Sequence, residues 1–141
     1  MALLSKSCLY GLRTAIYFAK HTENGYIPIS EIAKELEIPP DFLAKILQKL
    51  TRKKLMNSLR GVKGGVKLGK PPGKISLYDI IQAIDGDNIF RKCFLGLEEC
   101  SEETPCPLHD NWKEFRVNLS EMLKSSSLNY LIENREFLRI K

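Results

Sequence analysis

Two short amphipathic segments separated by a double proline constrain the fold of this chain more than any other feature. Pro39 and Pro40 push the residue before each of them out of the helical region, so one helix ends there and Pro40 can begin the next. The first segment starts near Ser30, a residue type that caps helix N-termini, and the second runs from about Asp41 to Lys53. Two helices joined by a tight break predict a helix-turn-helix.

The helical spacing of apolar residues predicts which faces of these segments are buried. The two inner stripes are Ile32, Ala33 and Leu36, then Leu43, Ile46, Leu47 and Leu50. An earlier helix over residues 5–20 would bury Cys8, Leu12, Ala15, Ile16 and Ala19. Cys8 is therefore interpreted as a buried structural thiol.

A basic hairpin follows the second helix. Residues 55–59 and 66–68 are strand-like, and the loop between them, 60–65, supplies the glycines that a tight turn requires. A basic hairpin directly after a recognition helix predicts a winged helix, whose helix enters the major groove of DNA while the wing contacts the backbone or the minor groove. The candidate DNA contacts are Phe42, Lys45 and Lys49 on the helix and Arg60 and Lys63 on the wing.

Charge is distributed unevenly along the chain. Residues 1–92 carry 16 basic and 8 acidic side chains, whereas residues 93–141 carry 6 and 9, within a net charge of +5. Between positions 45 and 74 there are ten basic residues and no acidic one. A block of one sign favours a polyanionic partner, since a merely solvated face normally intersperses both signs.

Two further helices are predicted after the wing. Ser76 and Asp79 form a capping-box pattern and Gly86 is a suitable terminator, which indicates a helix over about 76–84. Later, apolar residues step by four and three positions through Leu108, Trp112, Phe115, Leu119 and Met122. This heptad seam predicts a helix that pairs with a second copy in a symmetric dimer, the alternative being an ordinary core helix.

Three cysteines and one histidine lie within 17 residues, at Cys93, Cys100, Cys106 and His109. Thiolates and imidazole suit either one zinc ion or an iron–sulfur cluster. The lack of a C-x(2)-C pair, which zinc ribbons usually have, argues against zinc. A third interpretation is unrelated reduced thiols, although three cysteines beside four glutamates are unlike core residues.

Several classes of protein are disfavoured. No apolar run approaches the roughly 20 residues that cross a bilayer, and the first residues do not have a secretory pattern, so we expect a cytoplasmic protein with reduced thiols. The residues form neither a C-x-x-C redox pair nor a nucleophile motif nor a phosphate-cradling loop, so we expect no enzyme.

The chain resembles the winged-helix regulators that include IscR, NsrR and CymR. The stretches that carry this resemblance, in order over nearly the whole chain, are YGLRTAIYFA, ISEIAKELEIPPDFLAKILQKL, SLRGVKGGVKLGK, ISLYDIIQAIDG and CPLHDNWKEFR. The resemblance implies a homodimeric transcription factor, joined through its long helix, that binds a pseudo-palindromic operator in double-stranded DNA. It also implies that Cys93, Cys100 and Cys106 hold an iron–sulfur cluster.

The branches of this family imply different sites. IscR-like members complete a [2Fe–2S] site with a histidine that His109 matches, although their first cysteine gap is usually five residues and here it is six. NsrR-like members use an acidic ligand near the start of the first helix for a [4Fe–4S] cluster, and Ser7-Cys8-Leu9 offers no acid. CymR-like members lack the cysteine triad. The resemblance thus favours a [2Fe–2S] cluster over a [4Fe–4S] cluster. A given preparation of the protein can lack this cofactor.

The expected architecture is mainly α with a small β-wing. It comprises a winged helix-turn-helix domain over 1–92, a cysteine-rich cluster-binding loop over 93–109, and a dimerisation helix with a C-terminal packing segment over 110–141. The expected function is a redox-sensing transcription regulator, described as a repressor, although the residues leave activator or repressor open. The alternative is a winged-helix DNA-binding protein with structural zinc or reactive thiols in the same loop.

Overall fold

The structure is a computed structural model that describes residues 3–95, 102–103 and 105–133. Within them the chain forms seven α-helices and one two-stranded antiparallel sheet. The elements in order are α1 (Lys6–Lys20), α2 (Ile29–Leu36), α3 (Pro40–Arg52), β1 (Met56–Leu59), β2 (Gly65–Leu68), α4 (Leu77–Asp85), α5 (Asn88–Arg91), α6 (His109–Ser125) and α7 (Leu128–Glu133).

Helix α1 lies at the centre of the fold, against α3, α4 and α7. Ser5 caps it, because the Ser5 hydroxyl accepts the N–H of Cys8 at 3.0 Å. The predicted inner face is confirmed: Cys8 and Ala15 are fully buried, Ile16 and Ala19 nearly so, and Leu12 packs against the core at its edge.

Helices α2 and α3 form the predicted helix-turn-helix, and all seven residues of the two predicted inner stripes are buried. Pro40 occupies the first turn of α3, as expected. The prediction that Ser30 caps α2 is wrong, since the helix already begins after Pro28. Ile27 is held extended by a bridge to β2, and the Pro28 carbonyl accepts the N–H of Ile32 at 3.2 Å, so the helix starts immediately after the proline.

Strands β1 and β2 pair in a short hairpin, with Met56 opposite Leu68 and Leu59 opposite Gly65. Gly65 has φ +152°, and a Cβ there would lie 2.3 Å from the carbonyl oxygen of Ile27. A side chain at this position would therefore force the wing away from the helix-turn-helix.

Helix α4 fills the space beside α1 and α3. Its capping box is present as predicted: Ser76 Oγ accepts the N–H of Asp79 at 3.1 Å, and the Asp79 carboxylate accepts the N–H of Ser76 at 3.0 Å. Gly86 ends the helix at φ +75°, also as predicted. Ile80, Ile81 and Ile84 are buried, which anchors α4 in the core.

The last helices return to the first ones. Helix α5 is a single turn that the sequence patterns did not predict. The Leu77 N–H donates to the Ser126 carbonyl and the Leu128 N–H to the Ile75 carbonyl, both at 2.9 Å, so the α6–α7 junction is bonded to the start of α4. The predicted fold class is confirmed as mainly helical with a small β-wing. Over the described ranges, none of the helices combines the length and apolar character that crossing a bilayer requires.

Candidate DNA-binding surface and cysteine site

One side of α3 carries polar side chains into solvent. At 100° per residue, Lys45, Gln48 and Arg52 lie roughly opposite the buried stripe of that helix. All three are exposed. This surface can present two cations and one amide to a polyanion.

Two of the predicted DNA contacts on α3 are engaged elsewhere. The Phe42 ring makes an edge-to-face contact with Tyr10, with ring centroids 5.6 Å apart. The Lys49 ammonium donates to the Ile84 carbonyl at 3.4 Å, where it complements the negative end of α4. Both side chains therefore lie toward α1 and α4, at the margin of the exposed surface.

The wing places Arg60 and Lys63 in solvent on either side of a fully exposed Val62. The turn is closed by a hydrogen bond from the Gly64 N–H to the Gly61 carbonyl at 3.0 Å, and Gly61 has φ +110°. A Cβ on Gly64 would meet the Leu59 carbonyl oxygen at 2.1 Å. The glycines thus fix a tight basic tip, in agreement with the predicted wing.

A groove of about 330 Å³ separates α3 from the wing. Ile29, Leu47 and Val66 form its apolar floor, and Ala44, Gln48, Thr51, Arg52 and Ser58 form its sides. The sequence patterns did not single out Gln48 or Ser58. Helical periodicity alone places Ala44 and Gln48 on the open side of α3. Only the docked hairpin makes that side one wall of a groove.

The cysteine segment meets the fold at the first turn of α6. His109 begins this helix and is 5% exposed, while Cys93 is 6% exposed and Cys106 is half-buried. The His109 N–H donates to the Cys106 carbonyl at 3.0 Å. Cys100 lies outside the described residues.

Helix α6 holds the chain on both sides of Cys93. Trp112 Nε1 donates to the Lys92 carbonyl at 2.7 Å, and the Trp112 ring contacts Phe94 with centroids 5.3 Å apart. One turn further on, the Arg116 guanidinium donates to the Phe90 carbonyl. Trp112 follows His109 by three residues and so shares its side of the helix. These contacts bring Cys93 to the end of α6 from which His109 projects.

The available donors suit a soft metal. Thiol and imidazole groups at a helix N-terminus favour an anionic thiolate centre, because the N–H groups and the helix dipole are positive there. Among residues 3–95, 102–103 and 105–133, no three His, Cys, Asp or Glu side chains converge closely enough to hold a metal ion. The predicted set includes Cys100, which lies outside those ranges, so three of its four members are described.

Cys8 has different surroundings. It is fully buried, as predicted for a structural thiol, and lies beside Asp85. Burial, and then the negative charge and hydrogen bond of Asp85, raise the pKa of the Cys8 thiol to about 12. The thiol is therefore protonated at neutral pH, which makes it a poor metal ligand and nucleophile.

The apolar seam of α6 is open over much of its length. Leu108 is 39%, Phe115 49% and Met122 55% exposed. In the parallel row one residue further on, His109 and Leu123 are buried and Arg116 is half-buried. Helix α6 thus has one covered flank and one uncovered apolar flank.

A model of the family Rrf2, described as an iron-dependent transcriptional regulator, matches residues 4–134. An HTH-type transcriptional regulator of Aquifex aeolicus is 31% identical over 136 residues, which cover 95% of this chain and 94% of that protein. The HTH-type transcriptional regulator IscR of Xenorhabdus nematophila is 29% identical over 140 residues, 99% of this chain and 84% of IscR.

The fold is shared with a solved structure as well. The structure of CymR, the global cysteine regulator of B. subtilis, superposes with a TM-score of 0.80 at 27% identity, over 95% of this chain and 98% of that one. These relatives are transcriptional regulators and not enzymes. From the family match, the relatives and the shared architecture, we conclude that this chain belongs to the Rrf2 family of winged-helix transcriptional regulators.

Proposed function

We propose that this regulator is a homodimer whose binding to a pseudo-palindromic operator is tuned by an iron–sulfur cluster held by Cys93, Cys100, Cys106 and His109. The observation that carries the proposal is the burial of Cys93 and His109, together with the hydrogen bond from Trp112 in the first turn of α6 to Lys92, the residue before Cys93. The family description, an iron-dependent regulator, agrees with it. The division into 1–92, 93–109 and 110–141 belongs to the same proposal.

The DNA-binding part of the proposal is supported by two exposed basic surfaces. Lys45 and Arg52 on α3 would contact phosphates while the helix lies in the major groove, and Arg60 and Lys63 would hold the wing on the backbone. Lys49 and Phe42 would contribute from the margin, since their side chains lie toward α4 and α1.

The chemistry of the donors supports the cluster. Three thiolates and one imidazole match a [2Fe–2S] centre with mixed ligands better than a four-cysteine [4Fe–4S] centre. A bound cluster would supply a reversible change of charge and oxidation state at this point of the chain. The residues themselves orient the site: Trp112 fixes the backbone before Cys93, and the first turn of α6 supplies positive N–H groups near His109.

The end of α4 connects this site to the DNA-binding surface. Asp85 accepts hydrogen bonds from the backbone and hydroxyl of Ser5, at the start of α1. Ile84 accepts a hydrogen bond from Lys49 of α3. The chain then runs through α5, where Arg116 and Trp112 of α6 bond to the backbone. Movement of residues 90–93 would therefore be transmitted to both α1 and α3 through the short segment that contains Ile84 and Asp85.

The open flank of α6 supports the homodimer. In a symmetric dimer, Leu108, Phe115 and Met122 of one protomer would pack against the same row of its partner. Two α3 helices would then face DNA as a pair, and the angle of α6 would set their separation relative to the roughly 34 Å repeat of the double helix.

The cofactor is tested by oxygen-free purification followed by iron, sulfide and zinc analysis with visible and paramagnetic resonance spectra. We expect about two irons and two sulfides per protomer and a red-brown colour. The variants Cys93→Ser, Cys106→Ser and His109→Ala should reduce iron content, whereas Cys8→Ala is the matched control and should retain it. Colourless protein that carries zinc would replace this proposal by the structural-zinc alternative.

The coupling is tested separately, by operator affinity of iron-loaded and iron-free protein at fixed salt. We expect the two forms to differ at least fivefold, the range of ordinary allosteric coupling. Equal affinities would refute tuning by the cofactor and leave a plain operator-binding dimer.

A further inference from the structure

The side chains of α3 differ in their environment, and many of them are buried in the core or engaged in a contact elsewhere in the chain. Leu43, Ile46, Leu47 and Leu50 are buried in the core. Phe42 contacts Tyr10, and Lys49 bonds to Ile84. The Thr51 hydroxyl donates to the Leu47 carbonyl at 2.8 Å, which turns it back onto its own helix. The exposed residues that remain on the helix are Pro40, Asp41, Ala44, Lys45, Gln48 and Arg52.

Within that remainder, Gln48 differs from its neighbours in chemistry. Asp41 repels phosphates, and Lys45 and Arg52 are cations whose reach and charge suit the backbone. Gln48 has an uncharged amide with one acceptor and two donor hydrogens, and within the described residues that amide makes no hydrogen bond. It lies near the middle of α3, in the wall of the groove beside the wing. Its amide is thus free to pair with a base edge.

Ala44 lies one turn before Gln48 on the same wall. Four residues of helix advance about 6 Å, which is about two base-pair steps of 3.4 Å. Its methyl group is exposed and continues the apolar floor formed by Ile29, Leu47 and Val66. An exposed methyl group matches the C5-methyl group of thymine, the apolar feature of the major groove.

We infer that Gln48 reads an adenine through its N6 and N7 atoms and that Ala44 contacts a thymine methyl group about two base pairs away, in each half of the operator. A glutamine amide and the major-groove edge of adenine have complementary donors and acceptors, so two hydrogen bonds form at once. The inference rests on the proposed DNA binding and adds the bases that α3 selects.

The test starts with selection of duplexes from a random pool by the full-length protein, followed by affinity measurements on the selected operator. Each adenine is replaced in turn by 7-deazaadenine, which removes only the N7 acceptor, and each thymine by deoxyuridine, which removes only the methyl group. We expect affinity to fall about tenfold or more at one adenine in each half-site, and to fall less at a thymine about two base pairs away.

The assignment to Gln48 comes from a double-mutant cycle. In Gln48→Ala the 7-deazaadenine penalty should disappear, because the partner amide is gone, whereas in Lys45→Ala, the matched control on the same surface, it should persist. A penalty that persists in Gln48→Ala overturns the inference while leaving DNA binding intact. A protein that enriches no duplex from the pool overturns the proposed function together with the inference.

Discussion

Truncating Phe115 to alanine should weaken the proposed dimer strongly while leaving the protomer folded. A phenylalanine buries about 200 Å² when fully covered, and Phe115 is 49% exposed in the protomer, so about 100 Å² remains to be covered by a partner. At about 25 cal/mol per Å² this is worth about 2.5 kcal/mol for each copy and about 5 kcal/mol for the pair. Alanine retains the first side-chain carbon, so the dimer should be destabilised by about 4 kcal/mol, which is a roughly thousandfold weaker association.

Sedimentation equilibrium over a wide concentration range measures this change. Val117→Ala is the matched control: Val117 is also 49% exposed but lies on the opposite side of α6, so its truncation should leave the dissociation constant within about threefold. Met122→Ala, on the seam, should follow Phe115→Ala in direction. A Phe115→Ala dimer as tight as the unmodified one, with both proteins folded by circular dichroism, would refute the assignment of this flank as the interface.

Three further changes have defined outcomes. Ser76→Ala removes a capping-box acceptor and should lower the free energy of unfolding by about 1 kcal/mol in urea titrations; an unchanged midpoint would contradict the role of the cap. The folded-state pKa of Cys8 lies above its ordinary value of 9.0, so the contribution of the thiol to stability is present below pH 9 and is lost as pH rises toward about 12. Cys8→Ala should therefore flatten the fall in the free energy of unfolding at alkaline pH. An equally steep fall in the variant would argue against this role of Cys8. Arg60→Ala should make the slope of log affinity against log salt concentration shallower by about 0.9, the value for one phosphate that is no longer neutralised. Arg91→Ala is the control and should leave this slope unchanged, because Arg91 is an exposed cation paired with Asp87 away from the wing.

Local signals predicted most of the elements. The prolines at 39 and 40, the Ser76–Asp79 box and Gly86 each act within one turn of the chain, so their effect can be read from neighbouring residues. The predicted cap at Ser30 was wrong because the start of α2 is set by the bridge from Ile27 to β2, a contact between residues far apart in sequence. Helix α5 was missed for a related reason, since a four-residue turn lacks any periodicity of its own and is held by α6.

By itself the sequence determined the winged helix-turn-helix, the buried stripes of α1 to α3 and the basic character of the recognition helix and wing, because periodicity, prolines, glycines and charge act locally or by simple count. Only the tertiary structure decided how these surfaces are used. It turns Lys49 toward Ile84 and Phe42 toward Tyr10, lines a groove with Ala44 and Gln48, and brings Cys93 to the first turn of α6. These contacts depend on which helices pack against one another. The direction that a side chain takes is set partly by residues of neighbouring elements, which the local sequence does not specify.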